Sequence, residues 1–119
     1  MNPIVLIVDD EKPTRDGLRQ ALDERFEVYV AADAREARQV LKSEPVDVLL
    51  TDLRLGTDSG MDLLDEALTL IKPPVSIMMT AYGSVETAVE AMRRGAWHFV
   101  TKPLNLEEVE LLVARAARG

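Results

Sequence analysis

The chain has 119 residues, a formal net charge of -7, a pI of about 4.7 and 47% hydrophobic residues. That is enough for one domain, residues 1–119, with an apolar core, and so acidic a surface repels phosphate backbones, which argues against direct nucleic-acid binding. Cysteine is absent, so no disulfide or thiol chemistry arises, and no apolar run approaches the roughly 20 residues of a membrane span. Nor does the N-terminus show the basic stretch and long apolar region of a signal peptide. The expectation is a cytoplasmic protein that contacts no membrane. Two Phe, two Tyr and one Trp leave the core to aliphatic side chains.

The first predicted strand, Ile4–Val8, runs directly into Asp9, Asp10 and Glu11. Pro13 suits the first turn of a helix whose apolar face carries Leu18, Ala21 and Leu22 at helical spacing. Val28–Ala31 reads as a second strand. A short helix with Ala37, Val40 and Leu41 follows, stopped by Pro45. Val46–Thr51 is the third strand, with Asp52 at its end. Leu64, Ala67, Leu68 and Ile71 share a face of the third helix, which Pro73 and Pro74 close. Val75–Met79 is the fourth strand, followed by Thr80. Ser84 is placed to cap a fourth helix bearing Val85, Ala88, Val89 and Met92, with Gly95 as its terminator. His98–Val100 is the fifth strand, with Lys102 just beyond it. Asn105 caps the last helix, Glu108 standing in the reciprocal position, and Leu106, Val109, Leu112, Val113 and Ala116 mark its apolar face.

Five βα units imply a parallel sheet with helices on both faces. Ligands of such sheets bind outside the carboxyl ends of the strands. Four of those ends carry Asp9 and Asp10, Asp52, Thr80 and Lys102, while the second strand, ending in Ala31 and Ala32, belongs at the edge. Three carboxylates in close proximity need a counter-charge to stay ionised. Magnesium, which takes one or two carboxylates and leaves room for phosphate oxygens, supplies it. With Lys102 added, the site comes close to neutrality. Asp52, alone at its strand end beside a metal and a lysine, is then a candidate nucleophile toward phosphorus. Magnesium and Lys102 would hold the phosphoryl oxygens, and the Thr80 hydroxyl would meet the product, an aspartyl phosphate.

The segments "VDD", "LLTD", "MMTAYGS" and "FVTKPL" resemble the receiver domain of bacterial two-component response regulators, in order and over essentially the whole chain. The resemblance implies a flavodoxin-like α/β three-layer sandwich, with a five-stranded parallel sheet of order 2-1-3-4-5 and five helices. It implies that Asp52 is the phospho-acceptor and that Asp10, Asp9, Asp52 and the Arg54 carbonyl hold magnesium, Asp9 directly or through water. It further implies that Thr80 is the switch hydroxyl, Ala81 allows close approach to the phosphate and Phe99 is the switch aromatic. Lys102 would bind the phosphoryl group, and the Lys102–Pro103 bond would be cis. The implied partners are a sensor histidine kinase and, at the face of the fourth helix, fifth strand and fifth helix, either a second copy or an output domain. The implied activity is self-phosphorylation and slow dephosphorylation, not turnover of a substrate.

"TAYGSVETAVEAMRRGAWHFVTKPL" is similar to receivers of the NtrC type, which control sigma-54-dependent transcription activators built with an ATPase and a DNA-binding domain. Neither a phosphate-binding Gly-rich loop with Lys-Ser/Thr nor a basic recognition helix occurs in these residues. The end at "ARAARG" fits a receiver with further domains behind it and a stand-alone receiver equally. One departure from the pattern is Gly56, four residues after Asp52, where the family often has proline. The expectation is a more flexible loop through "LGTDSG", with Gly60 still matching the glycine before the third helix.

Other readings compete. Haloacid dehalogenase-type phosphatases need a second acid two residues after the nucleophile, where this chain has Arg54. A flavodoxin-like cofactor binder would need a phosphate loop after the first strand, where "DDEKP" stands. A docking module that takes no phosphate is opposed only by the completeness of the acidic and basic set. Taken singly, Thr80 suits a strand-to-helix turn, Phe99 a core position, and Arg93 and Arg94 a solvated helix end. Tyr82 and Trp97 suit packing slightly better than an interaction face, and His98 stands apart from the acidic edge.

Overall fold

Apolar runs that do not alternate need cover on both sides, and every residue of β1 (Ile4–Val8) and β3 (Val48–Asp52) is buried. The structure is a computed structural model that describes residues 2–81 and 85–118. Chain order is β1, α1 (Lys12–Leu22), β2 (Glu27–Ala31), α2 (Ala34–Ser43), β3, β4 (Arg54–Leu55), β5 (Asp58–Ser59), α3 (Gly60–Leu68), β6 (Val75–Thr80), α4 (Val85–Arg94), β7 (His98–Thr101) and α5 (Leu106–Arg118). The main sheet is parallel throughout, in the order β2-β1-β3-β6-β7. These are the five expected strands in the expected order, in a flavodoxin-like sandwich.

Two apolar layers sandwich the sheet. Val5, Ile7, Leu50, Ile77 and Met79 point toward Leu18 and Leu22 of α1 and Val109 and Val113 of α5. On the other face Leu6, Val8 and Leu49 meet Ala37 and Leu41 of α2 and Leu63 and Ala67 of α3. Fully burying one such aliphatic side chain contributes roughly 1.5–3 kcal/mol. Leu53, Leu64, Met78, Ala91 and Ala96 form a third cluster beneath α4.

Three helix readings are corrected. The third helix stops at Leu68, where the Thr69 N–H returns to Glu66 and Ala67 carbonyls and its hydroxyl donates to the Glu66 carbonyl. Ile71 therefore lies beyond the helix and is fully exposed. In α4 the buried stripe is Ala88 and Ala91, while Val85, Val89 and Met92 are exposed. In α5 the apolar face starts at Val109, leaving Leu106 outside. Asn105 does cap α5, its side-chain oxygen accepting from the Glu108 N–H at 3.1 Å. The expected cap at Ser84, like Tyr82, lies outside the described residues.

The stretch after β3 also differs from expectation. Instead of a flexible loop, β4 and β5 pair antiparallel as a small hairpin. Gly56, at φ +64°, opens its two-residue turn, a backbone conformation that glycine supplies without steric cost. Buried Leu55 ties the hairpin to the core.

Candidate functional site

Parallel pairing brings the carboxyl ends of β1, β3, β6 and β7 to one edge, and the chemistry-bearing residues follow from that register. The Asp9 N–H extends the ladder to the Ala31 carbonyl at 3.1 Å, so its side chain is fixed at the strand end and fully buried. Its Oδ1 accepts from the Glu11 N–H at 2.8 Å, and its Oδ2 accepts from Lys102 Nζ at 2.8 Å. Asp52 ends β3. Its Oδ1 accepts from the Arg54 N–H at 2.9 Å and its Oδ2 from Lys102 Nζ at 2.6 Å. Lys102 is aimed by its own backbone, whose N–H donates to the Thr80 carbonyl at 2.8 Å, and the Lys102–Pro103 peptide is cis. Glu11 adds a looser ion pair with Lys102 at 3.5 Å.

Asp10 differs from its neighbours in being exposed, and no described residue hydrogen-bonds its carboxylate. One oxygen each from Asp9, Asp10 and Asp52 lies within 4.8 Å of the other two. An all-oxygen carboxylate set of this kind fits a hard divalent cation such as magnesium. Asp10, Asp52, Thr80, Ala81 and Lys102 line one cleft, together with Arg54 and the hairpin residues Asp58 and Ser59.

One ammonium among three carboxylates sets the electrostatics. Burial raises the Asp52 carboxyl above its ordinary range; the Arg54 N–H and Lys102 pull it down without cancelling the effect, and the charge of Asp9 adds to the rise. Burial alone would lower Lys102, but its hydrogen bonds to Asp52 and Asp9 outweigh that and hold it well above the usual lysine value.

The backbone around Asp52 is equally constrained. The Leu53 N–H bonds to the Met79 carbonyl at 3.0 Å, and the Gly60 N–H to the Leu53 carbonyl at 2.9 Å. A Cβ on Gly60 would sit 1.9 Å from the Asp52 carbonyl oxygen, so only glycine lets α3 start this close to β3.

The edge thus gathers Asp9, Asp10, Asp52, Thr80, Ala81, Arg54 and Lys102. Phe99 stands apart from the cleft, partly buried against the cluster beneath α4. Pro103 lines a neighbouring groove with Pro13 and Gly17. His98 opens β7 at the opposite end of the sheet and pairs with its own chain neighbour, and Trp97 is partly exposed with its ring 5.8 Å from the His98 ring. Sequence reasoning missed two residues. Arg15 donates to the Asp9 carbonyl at 2.8 Å; its position one turn after Glu11 was the available signal. Thr87, in the first turn of α4, lines the cleft, and nothing in its local sequence marks it.

Comparison with known proteins places the fold and the family. A family model described as the response regulator receiver domain matches residues 5–114. The chain is 41% identical over 114 residues to the response regulator protein PilR of Pseudomonas aeruginosa, covering 95% of this chain and 26% of that protein. It is likewise 41% identical over 113 residues to the regulatory protein AtoC of Escherichia coli, covering 94% of this chain and 24% of that protein. The chain thus spans about a quarter of the length of these curated relatives. Among solved structures, NtrX from Brucella abortus superposes with a TM-score of 0.92 at 33% identity, over 99% of this chain and 27% of that one. The signal receiver domain of a LuxO-type repressor protein from Vibrio parahaemolyticus superposes with a TM-score of 0.91 at 30% identity, over 99% of this chain and 92% of that one.

Proposed function

The chain belongs to the response regulator receiver domain family, and on that premise we propose that residues 1–119 form a cytoplasmic receiver whose Asp52 accepts a phosphoryl group from a sensor histidine kinase. The observation that carries the reading is the bridge made by Lys102 between Asp52 and Asp9, beside a third carboxylate, at the carboxyl edge of a parallel sheet.

An oxygen of the Asp52 carboxylate forms the new bond to phosphorus while the donor's P–N bond breaks, its electron pair leaving with the imidazole. Lys102 neutralises charge on the phosphoryl oxygens as it transfers. Asp9, Asp10, Asp52 and the Arg54 carbonyl would hold magnesium. Bound there, the ion adds positive charge where the phosphoryl oxygens gather. Thr80 donates its hydroxyl to the product and Ala81 leaves room for it. Phe99 then turns inward, changing the face of α4, β7 and α5 that meets a second copy or an output domain. Two conformations a few kcal/mol apart suffice, with phosphorylation favouring one.

Similarity to PilR, AtoC and NtrX supports placing the receiver among the NtrC-type controllers of sigma-54-dependent activators, with ATPase and DNA-binding domains as outputs. The chain acts as a regulator and turns over no substrate beyond its own aspartyl phosphate.

Fluoroberyllate, a phosphoryl mimic, tests the reading. With magnesium it is expected to shift the amide resonances of Thr80, Phe99 and Lys102, and Asp52→Asn abolishes the response. Failure of the wild type to bind it transfers the case to a docking module that takes no phosphate.

A further inference from the structure

The turn Asp9-Asp10-Glu11 is clamped from two sides, and one clamp lies outside the acidic set. The N-cap position of α1, Glu11, makes no side-chain cap, and the first turn of α1 contains no acid. Instead the Asp9 carboxylate takes the Glu11 N–H at 2.8 Å, so a strand-end acid satisfies the donor of the N-cap residue itself. From one turn further along α1, Arg15 reaches back, and its Nη1 donates to the Asp9 main-chain carbonyl at 2.8 Å. The Arg15 N–H meanwhile bonds to the Glu11 carbonyl at 3.1 Å. Strand end, turn and helix are therefore tied into one unit around Asp10.

Among the described residues no hydrogen bond orients the Asp10 carboxylate, which is exposed. Where that side chain starts is set by the backbone of the turn, which the Glu11 and Arg15 bonds help to hold.

We propose that Arg15 is a positioning residue for the metal site: its guanidinium fixes the Asp9–Asp10 turn so that the Asp10 carboxylate faces Asp9 and Asp52. The inference rests on the reading of Asp9, Asp10 and Asp52 as magnesium ligands. It touches neither the metal nor the phosphoryl group and acts through the Asp9 carbonyl.

The sign of the effect separates this role from simple electrostatics. Removing a positive charge near an acidic site should tighten binding of a divalent cation. Removing a clamp should weaken it. Arg19, exposed on the same helix one turn later, supplies the charge-only control.

Magnesium affinity is measured by titration of the Asp10 and Glu11 amide resonances in wild type, Arg15→Gln, Arg15→Lys and Arg19→Gln. Arg15→Gln is expected to weaken magnesium about tenfold, the lower end of what partners that hold metal ligands contribute. Arg19→Gln should leave the affinity unchanged or slightly tighter, and Arg15→Lys should recover part of the loss. In the metal-free state, hydrogen exchange at the Glu11 amide should quicken in Arg15→Gln alone. Should Arg15→Gln bind magnesium as Arg19→Gln does, with Glu11 exchange unchanged, the positioning role is overturned while the metal site stands. Should the wild type show no magnesium response, the metal reading itself fails. An Arg15→Gln protein that loses general stability shows faster exchange throughout the sheet, and Arg15→Lys then carries the test.

Discussion

Lys102 Nζ lies 2.6 Å from Asp52 Oδ2, across a sheet in which β6 separates β3, which Asp52 ends, from β7, which Lys102 follows. The contact spans fifty positions of sequence and depends on β3, β6 and β7 holding register. It makes Lys102 the local counter-charge of a carboxylate cluster that would otherwise repel itself.

Replacing Lys102 by Gln removes charge-assisted hydrogen bonds from two buried acids at once. The metal-free protein is expected to lose about 2 kcal/mol, the scale of a hydrogen bond to a charged group. Urea unfolding in a chelator measures the loss. Unchanged stability would show that the bridge contributes nothing to the fold.

Magnesium should restore what the acids cost. A ligand that binds the folded state alone, at ten times its dissociation constant, stabilises by about 1.4 kcal/mol. The unfolding midpoint is therefore expected to rise with magnesium and return on chelation. Asp10→Asn should abolish most of the gain. A midpoint indifferent to magnesium would remove the metal from the account.

Two glycines should answer the same substitution with opposite signs. Gly60→Ala drives a methyl into the Asp52 carbonyl, a backbone atom that cannot swing aside, and should destabilise by about 3 kcal/mol. Gly17→Ala, in the middle of α1 with nothing within 4 Å of the new methyl, should stabilise by about 0.5–1 kcal/mol through helix propensity. Equal responses would mean that the packing around Asp52 is looser than the structure has it.

The pH dependence of the metal-free protein should carry the mark of Asp52. Its carboxyl titrates higher when folded than in the unfolded chain because burial disfavours the charge. The folded state therefore holds this proton more tightly, and the associated stability is present at low pH and lost as pH rises through the raised value. Asp52→Asn has no such loss. Measured against wild type without metal, its relative stability should be higher near pH 7 than near pH 4. A difference that does not vary with pH would contradict the direction of the shift.

Much of this was legible in the sequence because the signals are local. Ile4–Val8 is apolar throughout and strand β1 has those bounds; the βα alternation gave the parallel sheet and hence the edge where Asp9, Asp52, Thr80 and Lys102 meet. Tertiary packing was harder to read. In α4 the periodicity of Val85, Val89 and Met92 pointed to a buried face, yet small side chains, Ala88 and Ala91, lie inward where the helix approaches the sheet. The hairpin of β4 and β5 has strands of only two residues, too short for any alternation to show. Arg15 left only its place one turn after Glu11 as a signal, because its partner is a main-chain carbonyl and no complementary side chain marks it.

Intact mass shows whether Asp52 takes a phosphoryl group in a magnesium-dependent reaction. Wild type and Asp52→Asn are incubated with a small-molecule phosphodonor, with magnesium or with chelator. Wild type is expected to gain the mass of one phosphoryl group only with magnesium, and Asp52→Asn none. A wild type that stays unmodified, or an Asp52→Asn protein modified to the same extent, would contradict the proposed role of Asp52.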